Sequence, residues 1–122
     1  EKTEKFYMLC LDAKSTVIKL VKLSSGIPQE VRVDVRDVVD NALKYKAVSV
    51  VVAHNHPSGD VSPSVQDVEL TRAIAAALQL IKIKLADHYI FSDFGYCSFV
   101  EDGVGGQIQQ NVNNFLKDGI KY

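Results

Sequence analysis

The sequence predicts an α/β domain in which a layered, mixed β-sheet carries flanking helices. Three observations lead there. The elements read in the order strand, strand, helix, strand, helix, strand, strand, a mixture that belongs to neither an all-α nor an all-β architecture. The outer strand pairs have connections of hairpin length and so run antiparallel, whereas the central strand–helix–strand stretch has room for a right-handed parallel crossover. Between them, Val48, Val50, Val51, Val52 and Ala53 form an apolar, β-branched run that suits a strand buried on both faces.

Each element has its own warrant. Residues 6–12, FYMLCLD, read as a first strand, and residues 17–23, VIKLVKL, alternate apolar and polar as a second. The polar stretch at residues 12–15 joins them as a hairpin. Gly26-Ile27-Pro28 breaks the pattern, and EVRVDV at residues 30–35 is expected to add a short edge strand or an extended lead-in. Asp34 or its successor then caps a helix through about residue 46, in which Val35, Val38, Val39, Ala42 and Leu43 follow helical spacing. Residues 64–81 are the clearest helix, with Val68, Ile74, Ala75, Leu78 and Ile81 near one face. Residues 83–91 read as a strand, Ser92-Asp93-Phe94-Gly95 as a turn, and residues 96–101 as a last strand. Ile108, Val112, Phe115 and Leu116 predict a terminal helix over residues 107–116.

Size and composition narrow the possibilities. A chain of 122 residues buries one core without disulfides or structural metals to staple it. A net charge of -1 offers no general attraction to nucleic acid or anionic membrane. Lys14, Lys19, Lys22 and Arg32 read as a solvated strand face rather than a basic patch. No apolar run is long enough to span a bilayer, and no secretory leader is recognisable, so a cytoplasmic location is expected. Cys10 and Cys97 lie far apart in apolar strands and read as buried free thiols.

The chemistry concentrates in residues 48–67, VSVVVAHNHPSGDVSPSVQD. His54 and His56 are two apart at a strand end, so their side chains point to one side while Asn55 points away. Pro57, Gly59 and Pro63 end the strand, and Ser64 opens a helix whose first turn holds Asp67. Two imidazoles and a carboxylate with room for a water make a three-ligand catalytic zinc site. That predicts one zinc ion on His54, His56 and Asp67, with the Ser64 hydroxyl beside the open position. A plainer reading stands beside it, because Ser64 and Asp67 also have the spacing of a capping box, which needs no metal. The two histidines favour the metal. His88, on the penultimate strand, is expected to be a hydrogen-bonded core residue or, with Asn55, a support behind the ligands rather than a ligand.

The spacing His-x-His, seven residues, Ser, two residues, Asp resembles the JAMM motif of the JAB/MPN metalloprotease domains. The string HNHPSGDVSPSVQD, with ADHYIF and YCSFVEDG after it, is most similar to the RadC-like branch. This resemblance implies a cytidine-deaminase-like architecture over residues 1–104, with residues 105–122 a tail, helical by its spacing, of the same single domain. It implies further that a glutamate at the head of an early strand serves as proton acceptor. Glu4, in Glu4-Lys5-Phe6, matches it, with Glu30, Asp34 and Asp37 as rivals; Arg36 matches an arginine of the RadC pattern. Full RadC-like proteins carry a further N-terminal region, so the chain reads as the catalytic domain alone or as a stand-alone relative.

The implied activity is zinc-dependent hydrolysis of a peptide or isopeptide amide. Glu4 would take a proton from a zinc-activated water and return it to the leaving amine, and Ser64 would stabilise the oxyanion. The HxE and PCxxC signature of the zinc deaminases and the HExxH helix of the zincins are absent. The alternative is a DNA-repair accessory or partner-binding module with a structural metal. The expected partner is a peptide or protein of unspecified identity, a small amide being a variant of the same chemistry, and an uncovered edge strand would admit a homodimer.

Overall fold

The computed structural model describes residues 4–23 and 33–101. The first half of the expected strand at residues 30–35 falls outside them, Val33 and Asp34 are not in a strand, and Val35 begins a helix. The terminal helix at residues 107–116 falls outside them entirely.

Within the described residues the order is β1 (Phe6–Leu11), β2 (Val17–Lys22), α1 (Val35–Lys44), β3 (Ser49–Asn55), α2 (Val65–Leu80), β4 (Lys84–Ser92) and β5 (Gly95–Ser98). The strands form one five-stranded sheet in the order β2-β1-β3-β4-β5. It is mixed: β3 and β4 are parallel, and the other pairs are antiparallel. This is the α/β layered architecture expected of a JAB/MPN-like domain. The strand carrying the histidines lies at its centre, where both neighbours fix it.

Local chemistry explains the boundaries. Asp34 caps α1 by accepting the Arg36 N–H at 2.9 Å, and Arg36 itself is exposed in the first turn. The helix stops at Tyr45, after which Lys46 adopts a φ of 55°. β4 and β5 meet through the two-residue turn Asp93-Phe94, with Ser92 opposite Gly95. β5 ends at Ser98 rather than continuing to residue 101. The Asp87 carboxylate accepts both the Ser98 hydroxyl at 2.6 Å and the Val100 N–H at 3.2 Å, drawing the chain off the ladder.

One buried cluster joins Phe6, Met8 and Cys10 of β1 and Val50 and Val52 of β3 to Val38 and Ala42 of α1 and Ile74 and Leu78 of α2. These strand residues alternate, so both helices pack on the same face of the sheet. The expectation that the central strand is buried on both faces is therefore corrected. Val51 and Ala53, on its other face, remain half-buried, because neither described helix covers that side. Cys10 and Cys97 are buried, in separate clusters, and burial pushes the Cys10 thiol up.

Candidate metal centre

β1 and β3 pair antiparallel with Phe6 opposite His54, so the start of one strand lies beside the end of the other. Two contacts lock that junction: the Lys5 N–H donates to Asn55 Oδ1 at 2.6 Å, and the Asn55 N–H donates to the Lys5 carbonyl at 3.3 Å. Glu4 is thereby held next to the histidines. His56 lies one residue beyond β3, and its backbone N–H donates to the Phe91 carbonyl of β4 at 2.9 Å. Asp67 is placed by α2, where the capping box is complete. Asp67 N–H donates to Ser64 Oγ at 3.0 Å, and Ser64 N–H donates to Asp67 Oδ2 at 2.8 Å.

The cap and the cluster are one structure. Asp67 Oδ1 lies 3.0 Å from His54 Nε2 and Oδ2 lies 3.1 Å from His56 Nε2, while the two Nε2 atoms are 3.0 Å apart. The alternatives of cap and metal ligand are thus compatible in a single side chain. Glu4 Oε1 stands farther off, 4.0 Å from His56 Nε2. Glu4, His54 and His56 do group closely enough to share an ion, with donor atoms within 4.8 Å of one another. Asp67 is nonetheless the better third ligand, because it touches both rings. Of the rival acids, Asp34 is committed to capping α1, Asp37 lies in its first turn, and Glu30 lies outside the described residues.

The hydrogen-bond network assigns the tautomers. His56 Nδ1 lies 2.8 Å from the Asp60 carbonyl, which can only accept, so Nδ1 carries the hydrogen and Nε2 is bare. Thr71 Oγ1 gives its only hydrogen to the Asp67 carbonyl at 2.7 Å and therefore accepts from His88 Nδ1, to which it makes a short contact. His88 Nε2 is then an acceptor, and it takes the hydrogen of His54 Nδ1 at 2.8 Å. His54 Nε2 is bare in consequence. Two imidazole lone pairs and a carboxylate face one another at 3.0–3.1 Å with no donor among them.

Three converging acceptors repel unless a cation lies between them. Tetrahedral coordination at the usual zinc distances puts neighbouring donors about 3.3 Å apart, close to the spacing present. A set of two nitrogens and one oxygen suits zinc among the common divalent ions. The residues therefore fit a single zinc ion.

Packing holds the arrangement. Phe6 stacks on His54 with centroids 5.3 Å apart, and Phe99 stacks on His88 at 4.5 Å. His88 is fully buried and His54 nearly so. Burial, reinforced by the neighbouring His54, lowers the His88 pKa to about 3, which keeps it neutral. For Asp67, burial alone would raise the pKa, but the Ser64 backbone N–H donated to Oδ2 helps hold it well below the usual carboxylate range.

Both shifts have the same consequence on acidification. His88 is depressed from 6.5 to about 3, so its neutral burial contributes stability that is present above pH 6.5 and lost as pH falls toward 3. Asp67 is depressed from 3.8, so its contribution is present above that pH and lost below it. The metal-free protein is expected to lose several kcal/mol between pH 7 and 4, chiefly from His88. Urea unfolding across that range measures it, and a flat profile would contradict a neutral buried His88.

Sequence reasoning did not single out Thr71, which is buried and ties His88 to the helix that carries Asp67. Its position four residues after Asp67, one turn along the same face, was the available signal. Thr71→Val keeps the shape but leaves His88 Nδ1 without an acceptor. Outer partners of this kind are worth about 10–100-fold in metal affinity, and a loss in that range is expected by calorimetric zinc titration. The Asn55 side chain accepts the Lys5 N–H and so anchors the backbone beside Glu4.

The mixed five-stranded sheet with two helices on one face and the histidines at the end of its central strand is a JAB/MPN-like arrangement. The family model of the RadC-like JAB domain matches residues 1–104, and the chain belongs to that family. Curated relatives include the UPF0758 proteins of Pelobacter propionicus and Acinetobacter baumannii. The first is 41% identical over 101 residues, covering 83% of this chain and 44% of that protein. The second is 43% identical over 101 residues, covering 83% and 43%. A UPF0758 protein of Porphyromonas gingivalis is 38% identical over 102 residues, covering 83% and 45%. The chain spans less than half the length of these relatives. No helix among the described residues is long and apolar enough to cross a membrane.

Proposed function

We propose that this domain is a zinc-dependent metallohydrolase of the JAMM type, acting on a peptide or isopeptide amide bond of a protein or peptide substrate. The carrying observation is the convergence of two bare Nε2 atoms and the Asp67 carboxylate, an arrangement of acceptors that calls for a cation. His54, His56 and Asp67 would hold the ion. When bound there, zinc supplies Lewis acidity and brings a coordinated water to a pKa of about 7.

The chain's own residues divide the remaining work. Glu4 is half-buried, close to the histidines yet outside the tight triad, where a carboxylate accepts a proton and passes it to a leaving amine. Ser64 Oγ accepts the Asp67 N–H and so keeps its own hydrogen for a substrate carbonyl. Phe6 and Phe99, stacked on His54 and His88, keep water from the inner side of the triad.

The test is a zinc titration of the 122-residue chain by calorimetry, followed by a screen of fluorogenic peptide and isopeptide substrates with and without chelator. One zinc per chain with chelator-sensitive amide hydrolysis is the expected result. Failure to bind any divalent ion would overturn the proposal.

A further inference from the structure

Immediately beside the triad, on the opposite face of the sheet, lies a cleft of about 150 Å³. The register explains its position. His54 pairs with Phe6 and with Ile90, which are buried toward the helices, whereas Tyr7 pairs with Ala53 and Asn55 with Phe91 on the other side. Tyr7, Asn55 and Phe91 therefore line the cleft from the face that neither described helix covers. Phe94, at the tip of the β4–β5 turn, closes it from the edge. His56 belongs to both sites: its Nε2 meets Asp67, and the same residue lines the cleft.

The far wall is built for close approach. Gly59 has a φ of 93°, and a Cβ there would come within 3.3 Å of Phe94 Cδ2. Glycine thus lets the turn after His56 lie directly against the Phe94 ring. Yet Phe94 is 89% exposed and Phe91 38% exposed, two aromatic rings displayed at the rim of a small hollow. A site of that volume, with the rings of Tyr7, Phe91 and Phe94 in its walls and the polar Lys5, Ser92 and Asp93 beside them, has room for one six-membered ring. The net charge of -1 favours a peptide over a nucleic acid as its source.

We infer that this cleft is a specificity pocket that receives one aromatic side chain of the substrate, on a residue adjacent to the amide presented to the triad. The inference rests on the proposed metallohydrolase reading for the word substrate, but the pocket can be measured without metal or turnover. A chain crossing the end of the central strand would meet the ligands on one side of His56 and the cleft on the other. No covalent chemistry is required of the pocket residues.

The experiment uses the isotopically labelled 122-residue chain, metal-free, titrated with N-acetyl-L-phenylalaninamide, N-acetyl-L-alaninamide and uridine monophosphate while backbone amide shifts are followed. The phenylalanine ligand is expected to bind about tenfold more tightly than the alanine one, with shifts centred on Gly59, Ser92 and Gly95. Phe94→Ala, an exposed site whose loss spares the core, is expected to remove most of that preference and leave zinc stoichiometry unchanged. Equal binding of both amides, shifts centred elsewhere, or preference for the nucleotide would overturn the inference even if zinc binds. Aromatic preference in a protein that fails to bind zinc would remove the hydrolase reading and leave the pocket standing as an aromatic-binding site.

Discussion

Asp67→Asn is expected to abolish near-stoichiometric zinc binding while leaving the fold intact. The reason lies in the double duty of this side chain. The single oxygen of the substituted amide can still accept the Ser64 N–H, so the helix cap survives, and the Asp67 N–H to Ser64 Oγ half of the capping box is untouched. What is lost is the negative charge that faces both Nε2 atoms at 3.0 and 3.1 Å. Outer partners of metal ligands are worth 10–100-fold in affinity, so a direct ligand should cost at least about 100-fold. His54→Ala should lose the ion as completely, and it also removes a nearly buried ring stacked on Phe6, so its stability falls as well. Metal content of the purified variants, read beside their thermal unfolding, separates the two effects. Zinc retained at full stoichiometry in Asp67→Asn would mean that Glu4, His54 and His56 form the site instead.

Glu4→Gln is expected to keep the ion and lose the reaction. An amide at this position has the size and polarity of the carboxylate but cannot accept a proton, and positioned general bases contribute about 10²–10⁴-fold. The effect should fall on kcat with little change in KM, and zinc content should match the parent. Ser64→Ala makes the useful contrast. It should reduce kcat by about 10²–10³-fold if the hydroxyl donates to the developing oxyanion, and cost about 1 kcal/mol of helix cap. Loss of zinc in Glu4→Gln would instead identify Glu4 as a ligand.

The protein's order of elements could be read from local patterns. Proline and glycine punctuate the chain between strand and helix, and Ser64 with Asp67 marks the start of α2 by a rule that operates within four residues. The two-residue repeat of a strand and the turn that follows put His54 and His56 on one side, and this too is a local property. Elements whose signals depend on neighbours were read less well. The end of β5 depends on Asp87, which lies on another strand, and its pull on Ser98 and Val100 leaves no trace in the local sequence. The apolar run of β3 does not say which of its faces a helix will cover. Val51 and Ala53 are as apolar as their buried neighbours, yet the side they share meets no described helix.

By itself, then, the sequence determined the α/β class, the strand and helix that carry His54, His56 and Asp67, and the donor types grouped there, because these follow from periodicity, capping and side-chain chemistry over short spans. Only the tertiary structure decided how those residues act together. The antiparallel pairing of β1 with β3 brings Glu4 to His56 across more than fifty residues of chain. The parallel pairing of β3 with β4 brings His88 to His54, and α2 packed over both lets Thr71 choose the tautomer that bares His54 Nε2. The same pairings place Tyr7, Asn55 and Phe91 around the neighbouring cleft. Each of these is a contact between strands or between strand and helix, set by sheet register and core packing, and no local pattern in the chain encodes it.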